Sequence, residues 1–329
     1  MNIAIKMVTS CLLLCSLAAA QTSYDFKSFQ NPRATITRVL GLNGHGDLVG
    51  MDNAIPGRHA FVVDKDSYSS LDSLGILGAH TSFARGINTQ GDIVGGYAGS
   101  DGREHGFILR HGKLATFDVP FPVAVGTQLN AINDAGVIVG VWVDRAFKGH
   151  GFIYENGNFS QLEYPGARDT TPFGINSKGD IVGNWDSDQS TTGHGFVFSS
   201  GQITSFDAPN AMPNGTTANG INDSGQIVGA YVGRDGNFHG FIREGSTFTT
   251  IDCPGAVNTI AWGINVVGQI AGNCDNASGL QGFIASRTPI KNRNQFERTS
   301  RFGRAPYREE PCIGSLYSCF NKSKLSRIS

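Results

Sequence analysis

The sequence has 329 residues, of which 44 are glycine, and its formal net charge at pH 7 is -1. This glycine share is nearly twice the roughly 7% of average globular proteins, which predicts many turns instead of long helices. Residues 21–286 hold 24 acidic and 15 basic side chains, so the body of the chain is acidic. An acidic body excludes nucleic acid as a partner, because nucleic-acid-binding proteins gain most of their affinity from Lys and Arg contacts with phosphates.

The first twenty residues have the three parts of a secretory signal peptide. Lys6 supplies a positive start, residues 7–17 are mostly apolar, and Ala18-Ala19-Ala20 fits the small-residue rule for cleavage. The apolar run is too short for a membrane span, so we do not expect an integral membrane protein. A lipid anchor on Cys15 is the less favoured alternative, since no small residues precede it. We therefore expect residues 1–20 to be removed and the rest to be secreted or periplasmic.

Two short motifs recur in the same order through the next part of the chain. The first is Gly-Ile-Asn-x-x-Gly followed by Ile-Val-Gly, with slight variation, and its asparagines are Asn43, Asn88, Asn133, Asn176, Asn222 and Asn265. The second is His-Gly-Phe or His-Ala-Phe, and its first residues are His59, His105, His150, His194, His239 and, in the sixth copy, Gln281. Consecutive asparagines are 45, 45, 43, 46 and 43 residues apart. Such regular spacing predicts a repeat protein.

Turn chemistry divides each repeat into four strands, which we call a to d. Asn-x-x-Gly is a tight turn with glycine at positive φ, and it separates strand a from the Ile-Val-Gly strand b. A looser polar loop leads to strand c at His-Gly-Phe, and a second tight turn such as Asn156-Gly157-Asn158 leads to strand d. No segment of the body has a sustained helical period. Four short strands per repeat are typical of a propeller blade, so we predict an all-β fold, a six-bladed β-propeller over residues 21–286.

The two ends of the repeat array complement each other. The last repeat has no Phe-acid-x-Pro segment after Phe283, whereas Phe29-Gln30-Asn31-Pro32 corresponds to such a segment near the N-terminus. We therefore predict that residues 24–30 form strand d of the sixth repeat and close the ring. An open β-solenoid is the structural alternative, but it would leave two unpaired edges.

Four cysteines remain once the signal peptide is removed: Cys253, Cys274, Cys312 and Cys319. An even number in an exported chain allows disulfides, with three possible pairings. Cys312 with Cys319 is the most local pairing. Both belong to residues 287–329, which hold ten basic and three acidic side chains without apolar periodicity. We predict that this segment is a basic, flexible tail.

The two motifs together resemble the HAF family, a bacterial extracellular repeat named for the tripeptide that stands here as His59-Ala60-Phe61. The resemblance covers residues 35–286 and implies an exported bacterial protein. It implies no reaction, because no activity or catalytic residue is established for these repeats. Gln281 and the basic tail depart from the family's pattern.

Aromatic residues at one position of strand b are the candidate ligand-binding residues. They are Tyr97, Trp142, Trp185 and Tyr231, with Asp52 and Cys274 at this position in the first and last repeats. If strand a is innermost, the b–c loops and the d–a crossings open on one face, and the aromatic residues lie near its rim. Flat rings there would stack on sugar or peptide groups. Packing between blades is the alternative, and the sequence favours it.

Other repeated polar residues have structural explanations. One histidine per repeat, at the same register, predicts hydrogen bonding within each blade, because the ring separates the histidines too far to share a metal ion. No loop, including those of Asp186, Asp188, Asp275 and Asn276, supplies the six to eight oxygens of a calcium site. The acids that end strand d, Asp118, Glu163, Asp207 and Asp252, are expected to cap the crossing turns. We predict no metal and no cofactor.

Linear catalytic motifs are missing from the sequence, so no catalytic residue is assigned. The leading hypothesis is a monomeric, non-enzymatic binding or scaffold propeller that binds an extracellular glycan or protein through its long-loop face. The alternative is a hydrolase or lyase that acts on extracellular polysaccharide with acids gathered in the central channel.

Overall fold

The computed structural model describes residues 23–71, 81–187, 193–276 and 279–288. These ranges contain 24 β-strands and no α-helix, in agreement with the predicted all-β class. No helix within them is long and apolar enough to cross a membrane. The predicted signal peptide, and all but the first two residues of the predicted tail, lie outside the described residues.

The strands follow one another in groups of four. The first and second repeats contain β2 (Thr37–Leu42), β3 (Leu48–Asp52), β4 (His59–Asp64), β5 (Ser67–Ser70), β6 (Ser82–Ile87), β7 (Ile93–Ala98), β8 (Glu104–Arg110) and β9 (Lys113–Phe117). The third and fourth contain β10 (Ala124–Ile132), β11 (Ile138–Asp144), β12 (Gly149–Glu155), β13 (Asn158–Leu162), β14 (Asp169–Ile175), β15 (Ile181–Asp186), β16 (His194–Ser199) and β17 (Gln202–Phe206). The fifth and sixth contain β18 (Thr216–Ile221), β19 (Ile227–Val232), β20 (Phe238–Glu244), β21 (Thr247–Ile251), β22 (Asn258–Ile264), β23 (Ile270–Asn276), β24 (Gly279–Arg287) and, from the N-terminus, β1 (Tyr24–Phe29).

Within each repeat the strands pair antiparallel in sequence order. Four sheets have four strands each, in the orders β2-β3-β4-β5, β14-β15-β16-β17, β18-β19-β20-β21 and β22-β23-β24-β1. An eight-stranded sheet combines the second and third repeats, which are joined by one parallel pair between Gly126 and Glu104. The first strands of successive repeats contact one another, as do β22 and β2. Strand a is therefore the inner strand, and the arrangement confirms the predicted propeller type.

The Asn-x-x-Gly turns have the predicted geometry, with positive φ at each turn glycine, such as 80° at Gly136. Asn133 shows what the motif asparagine adds. Its Oδ1 accepts hydrogen bonds from the backbone N–H groups of Ala135 (3.1 Å) and Val137 (3.0 Å). Its Nδ2 donates to the carbonyl oxygen of Asn176 in the next repeat at 3.0 Å. The asparagine thus holds its own turn and the neighbouring repeat at once.

All six motif asparagines make this contact with the next repeat. The Nδ2-to-carbonyl distances are 3.1 Å for Asn43 to Asn88, 3.3 Å for Asn88 to Asn133, 3.0 Å for Asn133 to Asn176, 3.2 Å for Asn176 to Asn222, 3.1 Å for Asn222 to Asn265 and 3.3 Å for Asn265 to Asn43. We call this set the asparagine belt. Its last hydrogen bond returns to the first asparagine.

The Ile-Val-Gly and His-Gly-Phe segments are explained by packing inside each sheet. A Cβ atom at Gly140 would lie 2.2 Å from the carbonyl oxygen of Gln128 and 2.7 Å from Cζ of Phe152, so no side chain fits there. Phe152 belongs to the His-Gly-Phe motif, and the phenylalanines of all six repeats are fully buried. Strand b therefore needs glycine to make room for the aromatic ring of strand c.

The apolar cores lie between adjacent repeats. Val139 of the third repeat, for example, packs in one cluster with Ile181 and Phe196 of the fourth. Because the two faces of one small sheet cannot be covered from within, each repeat depends on its neighbours for burial of its apolar side chains.

β1 pairs antiparallel with β24 over six residues, from Tyr24 opposite Arg287 to Phe29 opposite Gly282. The ring of Phe26 lies 5.3 Å from that of Phe283, measured between centroids. The N-terminal strand therefore occupies the outer position of the sheet formed by the sixth repeat, where strand d lies in the other repeats.

A disulfide joins Cys253 to Cys274, with 6.3 Å between their Cα atoms. Both residues are buried, and the bond connects the crossing after β21 to strand β23. The more local pairing of Cys312 with Cys319 lies outside the described residues.

Candidate functional site

The b–c loops and the d–a crossings lie at the same end of the sheets. Short parallel bridges join the start of strand c in one repeat to the start of strand a in the next, as between Arg58 and Thr81 and between Gly193 and Gly215. We call this end the long-loop face, and the opposite end, with the Asn-x-x-Gly turns, the tight-turn face. The candidate aromatic residues lie near the long-loop face, as predicted from the order of the strands.

Each candidate aromatic residue stacks on the histidine directly opposite it in strand c. The centroid distances are 5.3 Å for Tyr97 and His105, 4.1 Å for Trp142 and His150, 4.6 Å for Trp185 and His194, and 5.3 Å for Tyr231 and His239. One face of each aromatic ring is therefore covered by an imidazole.

The four aromatic residues differ in exposure. Trp142 and Tyr231 are only 4% and 7% exposed, whereas Tyr97 and Trp185 are half-buried. Trp185 also stacks on Tyr164 at 4.1 Å and donates a hydrogen bond from Nε1 to the hydroxyl of Ser205. Packing thus uses much of these rings, and their contact with a ligand stays a prediction.

The histidines are hydrogen-bonded to the acids that end strand d. The Nδ1-to-carboxylate distances are 2.7 Å for His105 and Asp118, 2.6 Å for His150 and Glu163, 2.9 Å for His194 and Asp207, and 2.8 Å for His239 and Asp252. The predicted structural role of the histidines is confirmed. The expectation that the acids cap the crossing turns is wrong, because these carboxylates pair with imidazoles.

Three of these histidines contact a second carboxylate through Nε2. The partners are Asp101 for His105 (3.1 Å), Asp144 for His150 (3.3 Å) and Asp235 for His239 (3.3 Å). The second acid comes from the b–c loop or, for Asp144, from the end of strand b, so strand c holds an imidazole between two acids of one repeat. We call the aromatic residue, the histidine and the strand-d acid of a repeat its rim triad.

The pKa values of two of these histidines and of their second acids are shifted from their ordinary values. Burial disfavours protonation of His105 and His239, but hydrogen bonds and attraction to two carboxylates outweigh it, so the pKa of both imidazoles is raised. The pKa of Asp101 is lowered, first by the backbone N–H of Arg103 and then by His105. The pKa of Asp235 is also lowered, first by the hydrogen bond from the backbone N–H of Asn237.

The strand-d acids remain open to solvent. Their side chains are between 38% and 50% exposed. Some of their oxygens have a second contact: Oδ1 of Asp252 accepts from the backbone N–H of Gly240 at 3.3 Å, and Oε2 of Glu163 lies 3.9 Å from Nζ of Lys148. A carboxylate has about four acceptor positions, so each retains capacity to accept from a ligand. The rim triads therefore offer exposed acceptors at four places on the long-loop face, and at two of them a partly exposed ring, Tyr97 or Trp185, lies beside the acceptor.

The central channel is lined by a residue that strand a presents at a β-bulge. In every repeat the pairing of strands a and b shifts at the residue just before the motif glycine or its equivalent. A bulge re-aims a side chain. These bulge residues are Leu40, Arg85, Asn130, Phe173, Asn219 and Trp262, and they line a cavity of about 100 Å³ in the channel.

We call these six bulge residues the channel layer, and Arg85 is its charged residue. Its guanidinium carbon lies 5.3 Å from the ring centroids of Phe83 and Phe173 and 5.4 Å from that of Trp262. Its Nη1 donates to Oδ1 of Asn130 at 3.1 Å. Burial lowers the pKa of Arg85 to about 10, partly offset by Glu104. Three aromatic faces thus hold a cation inside the channel.

Acids reach the channel only at its tight-turn end, among the described residues that line it. Asp134 accepts a hydrogen bond from the backbone N–H of Thr89 at 2.8 Å, and Asp223 accepts one from that of Ser177 at 2.9 Å. Both carboxylates therefore join adjacent turns. The acid cluster that the enzyme hypothesis needs is not formed by these two residues.

The loop acids considered for calcium also have partners. The carboxylate of Asp275 accepts hydrogen bonds from the backbone N–H (2.6 Å) and the Nδ2 (2.7 Å) of Asn258, which fixes the start of β22. Asp188 lies outside the described residues. Within those residues no group of three or more His, Cys, Asp or Glu side chains has the arrangement of a metal site.

The sequence motifs did not reveal the channel layer. Its residues stand just before the most regular part of the repeat, yet they change from Leu40 to Arg85, Asn130 and Trp262 between repeats. The sequence did contain one signal for the channel layer: this position changes its chemistry between repeats while the motif beside it stays nearly constant. It indicates a place where the six repeats are not equivalent.

Comparisons with known proteins show similarity in fold. No protein-family model matches the chain, and no curated protein matches it in sequence. The structure is similar to AofleA from Arthrobotrys oligospora, at 10% identity, over 83% of this chain and 91% of that chain, with a TM-score of 0.52. It is similar to TolB from Acinetobacter baumannii, at 10% identity, over 73% of this chain and 64% of that chain, with a TM-score of 0.50. A fungal lectin from Aleuria aurantia, described as a six-bladed β-propeller with a novel fucose recognition mode, matches at 11% identity over 70% and 78% of the two chains, with a TM-score of 0.44.

Proposed function

We propose that this chain is an exported, six-bladed propeller of the HAF-repeat type that binds an extracellular glycan on its long-loop face without catalysing a reaction. Export is supported by the composition of residues 1–20. A closed ring of six blades is supported by the asparagine belt, whose hydrogen bond from Asn265 returns to Asn43 at 3.3 Å. It is also supported by β1, whose pairing with β24 completes the sheet of the sixth repeat.

The observation that carries glycan binding is the repetition of the rim triad in four repeats. Sugars are bound by carboxylates that accept hydrogen bonds from their hydroxyl groups and by rings that cover their apolar faces. Each rim triad supplies an exposed carboxylate that the imidazole fixes in place, and in two of them the ring of Tyr97 or Trp185 is partly exposed beside it. Four weak sites on one rigid ring would bind a repeating polysaccharide with gain from multivalency.

The enzyme hypothesis is less favoured, because the two acids in the described channel lining serve as backbone acceptors. A protein partner on the same face is the other alternative. The experiment below distinguishes glycan binding from both alternatives.

The test uses the chain from Gln21 onward on a glycan array, with a polysaccharide degradation assay in parallel. A variant that combines Asp118→Asn, Glu163→Gln, Asp207→Asn and Asp252→Asn keeps the shape of the four strand-d acids and removes their charge. We expect its binding to fall at least tenfold, on the order of one charge-assisted hydrogen bond. The matched control carries the same number of amide replacements at exposed acids elsewhere: Asp25, Asp64, Asp66 and Glu155.

Equal loss of binding in both variants, or binding to no glycan, would contradict the proposal. Cleavage of a polysaccharide by the purified protein would show that the alternative function is correct.

A further inference from the structure

The b–c loops of the second, third and fifth repeats form the same five-residue turn. In each, the N–H of the first residue donates to the carbonyl of the fifth, and the N–H of the fourth donates to the carbonyl of the first; the first residues are Gly99, Asp144 and Gly233. The fourth residue has a positive φ, which is 78° at Gly102, 82° at Gly236 and 58° at Phe147. Glycine adopts this conformation freely, whereas a bulky side chain makes it costly. The third repeat therefore has a strained aromatic residue where two other repeats have glycine.

The ring of Phe147 does not stabilise the fold by burial. It is 76% exposed, in a loop of the long-loop face. Phe147 thus has an unfavourable backbone conformation and leaves a large apolar surface in water. Backbone strain of this kind is concentrated at functional sites, and exposed aromatic side chains are frequent anchors of bound partners. A contact with a ligand explains this residue better than folding does.

Hydrogen bonds hold the backbone around Phe147 in place. Oδ1 of Asp144 accepts from the backbone N–H of Lys148 at 2.9 Å, inside the turn. The carbonyl oxygen of Phe147 accepts from Nη2 of Arg168 at 3.2 Å, and Nη1 of Arg168 also contacts the carboxylate of Asp169. The turn is thereby joined to the crossing that leads into the fourth repeat. A ring on a backbone fixed in this way loses little freedom when a ligand binds.

Phe147 belongs to the repeat whose rim triad lacks an exposed ring. Trp142 of that triad is only 4% exposed, although its strand-d acid, Glu163, is open to solvent. Lys148, which follows Phe147 in the chain, places its Nζ 3.9 Å from Oε2 of Glu163. The b–c loop that presents Phe147 therefore also contacts the exposed acid. Phe147 supplies the third repeat with the flat apolar surface that Trp142 does not offer.

The charged groups of this loop and of the next crossing are paired with one another. Lys148 lies opposite Glu163, and Arg168 contacts Asp169. These side chains are partly exposed, so they present donors and acceptors side by side. Hydroxyl groups both donate and accept hydrogen bonds, and they match such a mixture better than a group of one charge does. The surroundings of Phe147 thus favour a neutral, hydroxyl-rich ligand.

We propose that the third repeat contains a subsite for a neutral pyranose, in which the ring of Phe147 covers a C–H face of the sugar and Glu163 and Lys148 bond to its hydroxyl groups. This inference rests on the proposed function and specifies the repeat, the ring and the class of glycan. The second and fifth repeats have glycine at the position of Phe147 and cannot make the same contact. The four rim triads are therefore not equivalent, and the third contributes most to binding of a neutral glycan.

The test compares variants of the chain from Gln21 onward on the glycan array, scored separately for neutral and anionic glycans, and then by titration calorimetry with the neutral glycan that binds most strongly. Phe147→Gly should reduce its affinity about tenfold. The same variant should raise the melting temperature by about 1–3 °C, because glycine relieves the strain of the positive φ. Phe147→Trp keeps a flat ring and should retain the affinity. Val267→Gly is the matched control: Val267 is 71% exposed in a tight turn of the opposite face, without a positive φ, so this change should leave the affinity unchanged and should not raise the melting temperature.

Three results would overturn the inference while leaving glycan binding intact. They are an unchanged affinity in Phe147→Gly when the strand-d acid variant loses binding, equal effects of Phe147→Gly and Val267→Gly, and binding to anionic glycans alone. A melting temperature that falls in Phe147→Gly would show that the ring has a structural role instead. Sedimentation velocity checks the remaining possibility: a native dimer that Phe147→Gly dissociates would assign the ring to a contact between copies of the chain. Binding to no glycan would count against the proposed function itself.

Discussion

The motif asparagine shows how one side chain can account for the regularity of a repeat. Asn133 is buried, and both ends of its amide are used: Oδ1 accepts from two N–H groups of its own turn, and Nδ2 donates to the carbonyl of Asn176. Aspartate lacks the donor, glutamine is one methylene longer, and serine cannot donate and accept at both places. The spacing of the sequence motif therefore reflects a contact between repeats that the motif alone does not reveal.

We expect Asn133→Ala to lower the free energy of unfolding by about 1–3 kcal/mol, because it leaves the carbonyl of Asn176 without its buried hydrogen bond and removes the acceptor of two partly buried N–H groups. Urea denaturation followed by tryptophan fluorescence measures this. Asn158→Ala is the control: Asn158 is exposed and bonds only to Asn156 nearby, so we expect a change of less than about 0.5 kcal/mol. A similar small change in both variants would mean that the asparagine belt does not stabilise the ring.

At the scale of one strand, β1 joins the beginning of the chain to its last repeat. Its six residues pair with β24, and Phe26 is partly buried against Phe283. Without β1, strand β24 would have an open edge, and the core beneath it would be exposed. Edge strands left in this state are also prone to pair with other chains.

Deletion of residues 23–30 should lower the melting temperature by about 10 °C or more, since it removes several ladder hydrogen bonds worth about 1 kcal/mol each together with apolar burial. Differential scanning calorimetry of the shortened and full chains gives the difference. Phe26→Ala should reproduce part of it, at roughly 1–3 kcal/mol for a half-buried ring. Lys27→Ala, at an exposed position of the same strand, should change stability by less than about 0.5 kcal/mol. An unchanged melt after deletion would contradict ring closure by β1.

Much of the element-level structure is predictable because it depends on local chemistry. The Asn-x-x-Gly turns, the Ile-Val-Gly strands and the starts of strand c at histidine follow from residues close in sequence. Residues close in sequence do not predict the ring contacts of Arg85, the pairing of Cys253 with Cys274 or the acid partners of the histidines. Those contacts depend on how the strands are placed in space, and side chains 13 or more residues apart meet there, as His105 and Asp118 do. The order of the strands was therefore enough to predict that the four aromatic residues lie near the long-loop face, but the acids beside them were assigned the wrong partners.

For the molecule as a whole, the histidines of strand c and their second acids couple stability to pH. The pKa of His105 and of His239 is raised in the folded state, so their contribution is complete below the unfolded value of about 6.5 and is lost as pH rises through the folded value. The pKa of Asp101, Asp144 and Asp235 is lowered, so their contribution is present above about 4 and is lost as pH falls through the folded value. Stability should therefore be greatest between these ranges, at a mildly acidic pH.

We expect the melting temperature to fall between pH 6 and pH 8, because deprotonation removes the attraction of each imidazole to its two acids. Differential scanning fluorimetry across pH 4 to 9 measures the profile. The double variant His105→Gln with His239→Gln keeps polar side chains and should flatten the alkaline limb while leaving the acidic limb largely in place. His45→Gln, at an exposed histidine of a tight turn, should keep the native profile. A melting temperature that rises from pH 6 to pH 8, or a double variant with an unchanged alkaline slope, would show that the bridging imidazoles do not carry this dependence.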